Sequence, residues 1–269
     1  MLLKYFFLCL LLQVAACTTA PPAVENDGAG LTAVDNAWTR TSQTSSTAVA
    51  PVWQHSHFPG KQATQYLYAH LDGREAMAVN AVSSASMLRQ KIRVSPHDLG
   101  SIRFSWKVPE LMAEADLGLR EADDSPVRIV LAFEGDRSTF SAKNSMLSEL
   151  SHAITGEPLP YATLMYVWCN TCAPGSVIVN PRTDRIRALV VESGRENLNQ
   201  WLDYRRDIRA DFEMAFGERA GALVGIGIMT DSDNTHSTTR AWYGQLRLAS
   251  TFGNAEGAKH TVDSVITTR

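Results

Sequence analysis

The sequence predicts a mainly β protein: a two-sheet antiparallel β-sandwich of jelly-roll type with about two short helices. Three observations carry that class. Residues 101–108 alternate strictly. Ile102, Phe104, Trp106 and Val108 fall on one face, and Ser101, Arg103, Ser105 and Lys107 on the other, the pattern of a half-buried strand. About ten short runs of β character follow one another between turn signals. Only two segments change to a helical period, too few to carry crossovers between parallel strands.

The chain opens on a targeting segment, residues 1–16. Lys4 supplies a positive start, residues 5–12 an apolar stretch too short to span a membrane, and Val14-Ala15-Ala16 the small residues of a cleavage box. Cys17, directly after that box, resembles the lipobox cysteine of bacterial lipoproteins. The resemblance implies cleavage before Cys17 and acylation of its thiol and amine. Thr18 rather than Asp follows, which in such lipoproteins points to the outer membrane. The expected address is therefore the cell envelope, lipid-anchored to the outer membrane and facing the periplasm. An ordinary signal peptide with an incidental cysteine is the plainer alternative.

Residues 17–50 are rich in Thr, Ser, Ala, Pro and Asn, without an apolar period, and read as a flexible tether. Trp38 is the exception, either docked on the domain or exposed. Residues 51–250 form the sandwich domain and 251–269 a tail. Hydrophobic residues make up 45% and charged residues 20%, an ordinary globular balance. The net charge is −3 with Lys and Arg scattered, which argues against a nucleic-acid partner.

Within the domain, residues 53–58 start the order. Runs at 63–70, 75–83 and 87–94 follow, with Asp72-Gly73 as a hairpin signal between the first two. After the strand at 101–108 comes an acidic loop, then residues 126–134. Only the ends of that run carry charge, so it is expected to be central and covered on both faces. Phe140, Leu147, Leu150 and Ile154 recur at helical spacing, with Ser138 as cap and Gly156 as stop. Strands are expected at 161–168, 176–179, 186–192 and 201–206. Asp207 caps a second helix that ends at Gly217. Residues 222–229 and 237–248 are two closing strands around a polar loop, and the first is an apolar run containing Gly225 and Gly227.

These stretches resemble a bacterial family. Ile102-Arg-Phe-Ser-Trp-Lys-Val108, Asp123-Asp-Ser-Pro-Val-Arg-Ile129, Pro160-Tyr-Ala-Thr-Leu-Met-Tyr-Val-Trp168 and Val179-Asn-Pro181 are four of its motifs. Val190-Val-Glu-Ser-Gly194, Met229-Thr-Asp-Ser-Asp-Asn-Thr235 and Ala241-Trp-Tyr-Gly244 complete the set. Together they are similar to the envelope proteins grouped as domain-of-unknown-function family 3047. That family lends no catalytic roles. Cys169 and Cys172 depart from it, standing where small or polar residues are usual.

Candidate sites follow from residue chemistry. Asp231, Asp233, Asn234 and Thr235 offer oxygen ligands of the kind calcium takes, or an Asx turn bonding its own N–H groups. The loop lacks the glycine and the closing glutamate of an EF-hand, so no metal is assigned and no cofactor is expected, with calcium left open. Asp123, Asp124, Arg128, Asn180 and Glu192 are a candidate ligand cleft. Arg128 on a central strand needs a carboxylate, either Glu192 or Asp123. Trp106, Trp168, Trp201, Trp242, Tyr166 and Tyr243 are either a sugar platform or core. His55 and His57 share a strand face and either bind a metal or are simply exposed on a domain edge. Outside the cytoplasm, Cys169 and Cys172 are expected to form a local disulfide.

No His-Glu-x-x-His, Gly-x-Ser-x-Gly, phosphate loop or dinucleotide fingerprint occurs, and the catalytic residues are unknown. The leading expectation is a non-catalytic, lipid-anchored envelope module that binds a glycan or a protein partner. The alternative is a hydrolase or lyase acting on an envelope polysaccharide, its acid and base drawn from Asp123, Asp124, Glu192, Asp231 and Asp233. A purely structural role is the third.

Overall fold

The structure, a computed structural model, describes residues 31–42, 44 and 52–249. The targeting segment, Cys17 and the tail 251–269 lie outside these residues. Among the described residues no helix is long and apolar enough to cross a membrane.

The first half contains β1 (Leu31–Val34), α1 (Ala37–Thr41), β2 (Trp53–His57), β3 (Gln65–Leu71), β4 (Arg74–Val82), β5 (Ala85–Val94), β6 (Ser101–Lys107) and β7 (Ser125–Phe133). The second half contains α2 (Ala142–Thr155), β8 (Ala162–Cys169), β9 (Val177–Val179), β10 (Ile186–Ser193), β11 (Leu202–Asp207), α3 (Ile208–Phe216), β12 (Leu223–Asp231), β13 (Thr238–Tyr243) and β14 (Arg247–Ala249).

They form a two-sheet β-sandwich of jelly-roll type. One sheet has eight strands in the order β1-β2-β5-β12-β7-β8-β10-β9. The other runs β11-β6-β13-β4-β3, with β14 also on β6. Alternation places Ile102, Phe104 and Trp106 of β6 against Ile129, Leu131 and Tyr166 of the facing sheet, all fully buried or nearly so. The run expected to be central is so: β7 lies between β12 and β8, and eight of its nine residues are buried, although its outer face opens on a cleft rather than being covered. Asp72 and Gly73 both take positive φ, 51° and 76°, and turn β3 into β4.

Four expectations need correction. The pairing is not wholly antiparallel, because β8 and β10 are parallel. No helix makes that crossover; the chain instead runs out along β9, which pairs antiparallel with β10 on its far side. Residues 31–42, expected in the tether, add β1 and α1 to the domain. Trp38 is fully buried there, and its Nε1 donates to Gly244 O at 2.9 Å. Among the described residues there are thus three α-helices where about two were expected.

Helix α2 also turns a different side inward. Its N-cap is Ser141, not Ser138, and it buries Asn144 and Ser148 while Met146, Leu150 and Ile154 stay more than half exposed. The polar side goes inward because Asn144 bonds Asp184 and Thr183 in the loop before β10.

Cys169 and Cys172 are joined by a disulfide across the turn after β8. A loop this short constrains the unfolded chain little. Replacing both with Ala is expected to cost about 2 kcal/mol in urea unfolding, and a loss above about 4 would contradict that origin.

Candidate functional site

Register alone builds the site. On the outer face of the eight-stranded sheet, residues directly opposite one another form three rows. The first runs Ser56, Met87, Met229, Arg128, Val167 and Val190. The second runs Gln54, Arg89, Gly227, Val130, Met165 and Ala188. The third runs Lys91, Gly225, Ala132, Thr163 and Ile186. Six strands at about 4.8 Å make a face roughly 24 Å across.

Helix α2 and the Pro158-Leu159-Pro160 segment stand over one end of this face, and Phe58 and Phe140 flank it. What they enclose is an open cleft of about 800 Å³, in the size range of small-molecule sites. Gly225 and Gly227 keep the floor low. A Cβ on Gly227 would lie 2.9 Å from Met87 Sδ and 3.1 Å from Leu88 O. The centre of the floor, from Gly225 and Gly227 across Val130 and Ala132, is therefore apolar, and half-buried Met87, Met165 and Met229 lend it adaptable surface.

The walls carry charge. Glu157 accepts from Arg89 Nη1 at 2.8 Å and Lys91 Nζ at 2.6 Å. Arg89 Nε is buried without a partner among the described residues. Arg185 bonds Glu218 at 2.6 Å and lies 4.0 Å from the centre of the Tyr161 ring. Glu134 is held by Arg93 at 2.6 and 2.9 Å. The cleft floor carries no carboxylate.

A buried polar network closes the other end. Arg128, 4% exposed, donates through Nε to Asp231 Oδ1 at 2.9 Å and through Nη2 to Asp123 Oδ1 at 3.0 Å. Asn180 Nδ2 donates to Asp123 Oδ2 at 2.8 Å. Asp124, 1% exposed, accepts from the N–H and side chain of Asn234 and from the N–H and hydroxyl of Thr235, at 2.7 to 3.2 Å. Lys61 pairs with Asp233.

Asp123, Asp124, Arg128 and Asn180 are thus brought together as the candidate cleft required, and Asp231, Asp233, Asn234 and Thr235 join them. Glu192 does not. A register shift between Val190 and Glu192 sets Glu192 opposite Trp168, on the face between the sheets. There it accepts from Tyr204 Oη at 2.8 Å. Nor does the 231–235 loop bond only itself: the Asn234 and Thr235 N–H groups donate to Asp124, from a loop about 110 residues away in sequence, and the Ser232 N–H donates to Ser84 O.

Burial pushes the Asp231 carboxyl up to about 7; Arg128 pulls the other way, and nearby Asp124 and Asp123 add to the rise. Arg128 is itself held above its usual range, because Asp231 and Asp123 outweigh the burial that disfavours its charge. The sign for stability follows. Between the ordinary carboxyl value and about 7 the folded state binds a proton that the unfolded state does not. Stability is therefore lost as pH rises through that window and levels off above it. Relative to Asp231→Asn, the native chain is expected to lose up to about 1.4 kcal/mol per unit from pH 5 to 7. Parallel unfolding curves for the two across that range would contradict this.

Oxygens of Asp124, Asp231 and Asp233 lie within 4.8 Å of one another and could hold a hard cation. Protein donors already meet them: Asn234 and Thr235, Ser125 N–H with Arg128, and Lys61. A chelator is therefore expected to leave the Tm unchanged, while Asp124→Ala costs about 2–3 kcal/mol through orphaned N–H groups. A chelator-dependent Tm restored by calcium would reverse that expectation.

The aromatic platform is not present as a set. Trp106, Trp168, Tyr166 and Tyr243 are buried between the sheets, and only Trp201 and Trp242 are partly exposed. The two histidines are not on an edge, since β2 lies between β1 and β5. His55 contacts Ser86 Oγ at 2.8 Å, and burial, with His57 beside it, lowers its pKa to about 4. Sequence reading missed the cleft. Its one visible signal was Gly225-Ile-Gly227 inside a strand, where glycine marks close approach.

A two-sheet β-sandwich with an open cleft on one outer face is the class of protein that fold and site define. The chain belongs to the family of proteins of unknown function DUF3047, which matches residues 51–247. No curated protein matches the sequence. Among solved structures, a CBM4 structure shares 9% identity and a TM-score of 0.34, over 74% of this chain and 87% of its own. The xyloglucanase domain of NopAA, a type three effector from Sinorhizobium fredii in complex with cellobiose, shares 10% and 0.37, over 75% and 94%. At such scores neither ligand nor reaction transfers to this chain.

Proposed function

We propose that the domain is a non-catalytic binding module of the cell envelope, tethered through Cys17 to the outer membrane, that holds a glycan chain in the cleft. The carrying observation is an open cleft of about 800 Å³ with an apolar floor and polar walls. Its open shape admits an extended ligand, and Phe58 and Phe140, the latter stacked on Tyr161, line its edge. Binding without turnover is supported by the state of the carboxylates. Glu134 and Glu157, the two acids lining the cleft, are both in ion pairs, and Asp123, Asp124 and Asp231 are buried under protein donors. Glycoside hydrolysis needs two carboxyl groups facing one bond.

A protein partner is the second reading. The exposed stripe Met146, Leu150 and Ile154 on α2, beside the cleft, favours it. The purified chain on an array of envelope glycans, with mass analysis of the same mixtures, tests both. Retention of intact glycan is expected. Shortened or unsaturated products would establish the hydrolase or lyase instead, and no glycan binding would leave the protein partner. For the anchor, Cys17→Ser is expected to abolish detergent partitioning.

A further inference from the structure

The opposite side of the sandwich carries a feature that the fold does not require. Register sets Arg205 of β11 and Arg247 of β14 each directly opposite Arg103 of β6, one on either side. All three are exposed on the outer face of the six-stranded sheet. With strands about 4.8 Å apart, three guanidinium stems stand within roughly 10 Å. Like charges directly opposite one another weaken a sheet, so the arrangement works against stability.

Neighbouring acids do not neutralise it. Asp203, opposite Ser105, is held in both oxygens by Arg74 at 2.7 and 3.0 Å. Asp207, opposite Ser101, caps α3 by accepting from Ala210 N–H at 3.0 Å. The polar partners of the row are neutral: Arg205 Nε donates to Ser101 Oγ at 3.3 Å, and Arg247 Nη2 to Gln245 Oε1 at 2.7 Å. These bonds steady two stems and leave the charge unspent. No carboxylate among the described residues pairs with any of the three.

We propose that Arg103, Arg205 and Arg247 together bind a phosphate group. A guanidinium fork matches two phosphate oxygens, and a phosphate monoester offers three acceptor oxygens and up to two charges. Three adjacent forks supply more donors than a single carboxylate can accept. The site is independent of the cleft, which lies on the other sheet. The phosphate belongs either to a lipid headgroup or to a soluble compound, and the two are separable.

The purified full chain is titrated calorimetrically with inorganic pyrophosphate at low salt. In parallel it is cosedimented with phosphatidylcholine vesicles with and without phosphatidic acid. Arg103→Gln and Arg205→Gln are compared with Arg240→Gln, an exposed arginine on β13 opposite Asn80, outside the row. Binding to at least one probe is expected, weakened about tenfold or more by each row variant and unchanged by the control. Vesicle binding alone would assign the phosphate to a membrane headgroup, and pyrophosphate binding to a soluble source. A second readout guards against misfolding: Arg103→Gln is expected to raise the Tm without ligand, and pyrophosphate to raise the native Tm but not the variant's. Binding to neither probe, or equal weakening by Arg240→Gln, overturns the proposal.

Discussion

Arg128→Met is expected to destabilise the domain by about 3–5 kcal/mol, the largest loss from a single substitution. The side chain is 4% exposed and bonds two buried carboxylates, Asp231 at 2.9 Å and Asp123 at 3.0 Å. Without the guanidinium Asp123 keeps only Asn180 and the more distant Arg182 at 3.7 Å, and Asp231 only the Ser125 N–H, so the buried carboxylates beside Asp124 are left short of donors, which costs more than the lost contacts. The second substitution Asp231→Asn removes one of the stranded charges and is expected to restore part of the loss. Urea unfolding of the single and double variants measures the coupling. A single-variant loss under about 1 kcal/mol would show that the network holds nothing together.

That network was partly legible. The need of Arg128 for a carboxylate followed from its place on an apolar strand, and Asp123 was one of two partners weighed. Glu192 was weighed as the other partner because it ends the apolar run Val190-Val191, but a bulge there turns its side chain to the face between the sheets, and nothing in the composition marks a bulge. Asp124 could not be connected to Asn234 and Thr235, because sequence distance says nothing about which loops meet. Strands were readable where one face is apolar and the other polar, as in β6. They were harder at β1, only four residues long; β8 and β10 were read as strands, but their parallel pairing was not. Helix α2 was placed within a few residues, but its burial was inverted. Hydrophobic periodicity names a face without saying whether anything covers it. The cleft and the arginine row both depend on neighbours across strands, and register becomes visible only when the sheet is assembled.

Gly225→Leu is expected to abolish ligand binding, with at least about a hundredfold loss of affinity. A Cβ there meets Ala132 Cβ at 3.4 Å and Gln90 O at 3.8 Å, ordinary contact distances. The backbone therefore accepts the side chain, which then stands in the middle of the floor where the ligand lies. Reduced freedom of the unfolded chain offsets part of any crowding, so stability is expected to change by no more than about 1 kcal/mol. Loss of binding with an unchanged Tm separates an occupied cleft from an unfolded domain. Full affinity in Gly225→Leu would place the ligand elsewhere.

The most direct measurement labels the methionine methyl groups with 13C and follows them by NMR as the array-identified glycan is added. Met87, Met165 and Met229 line the cleft, whereas Met77 is fully buried between the sheets and Met214 is exposed on α3. A cleft-bound ligand shifts the first three, saturably, and leaves Met77 and Met214 in place. Saturable binding that leaves Met87, Met165 and Met229 unmoved would contradict the cleft as the binding site.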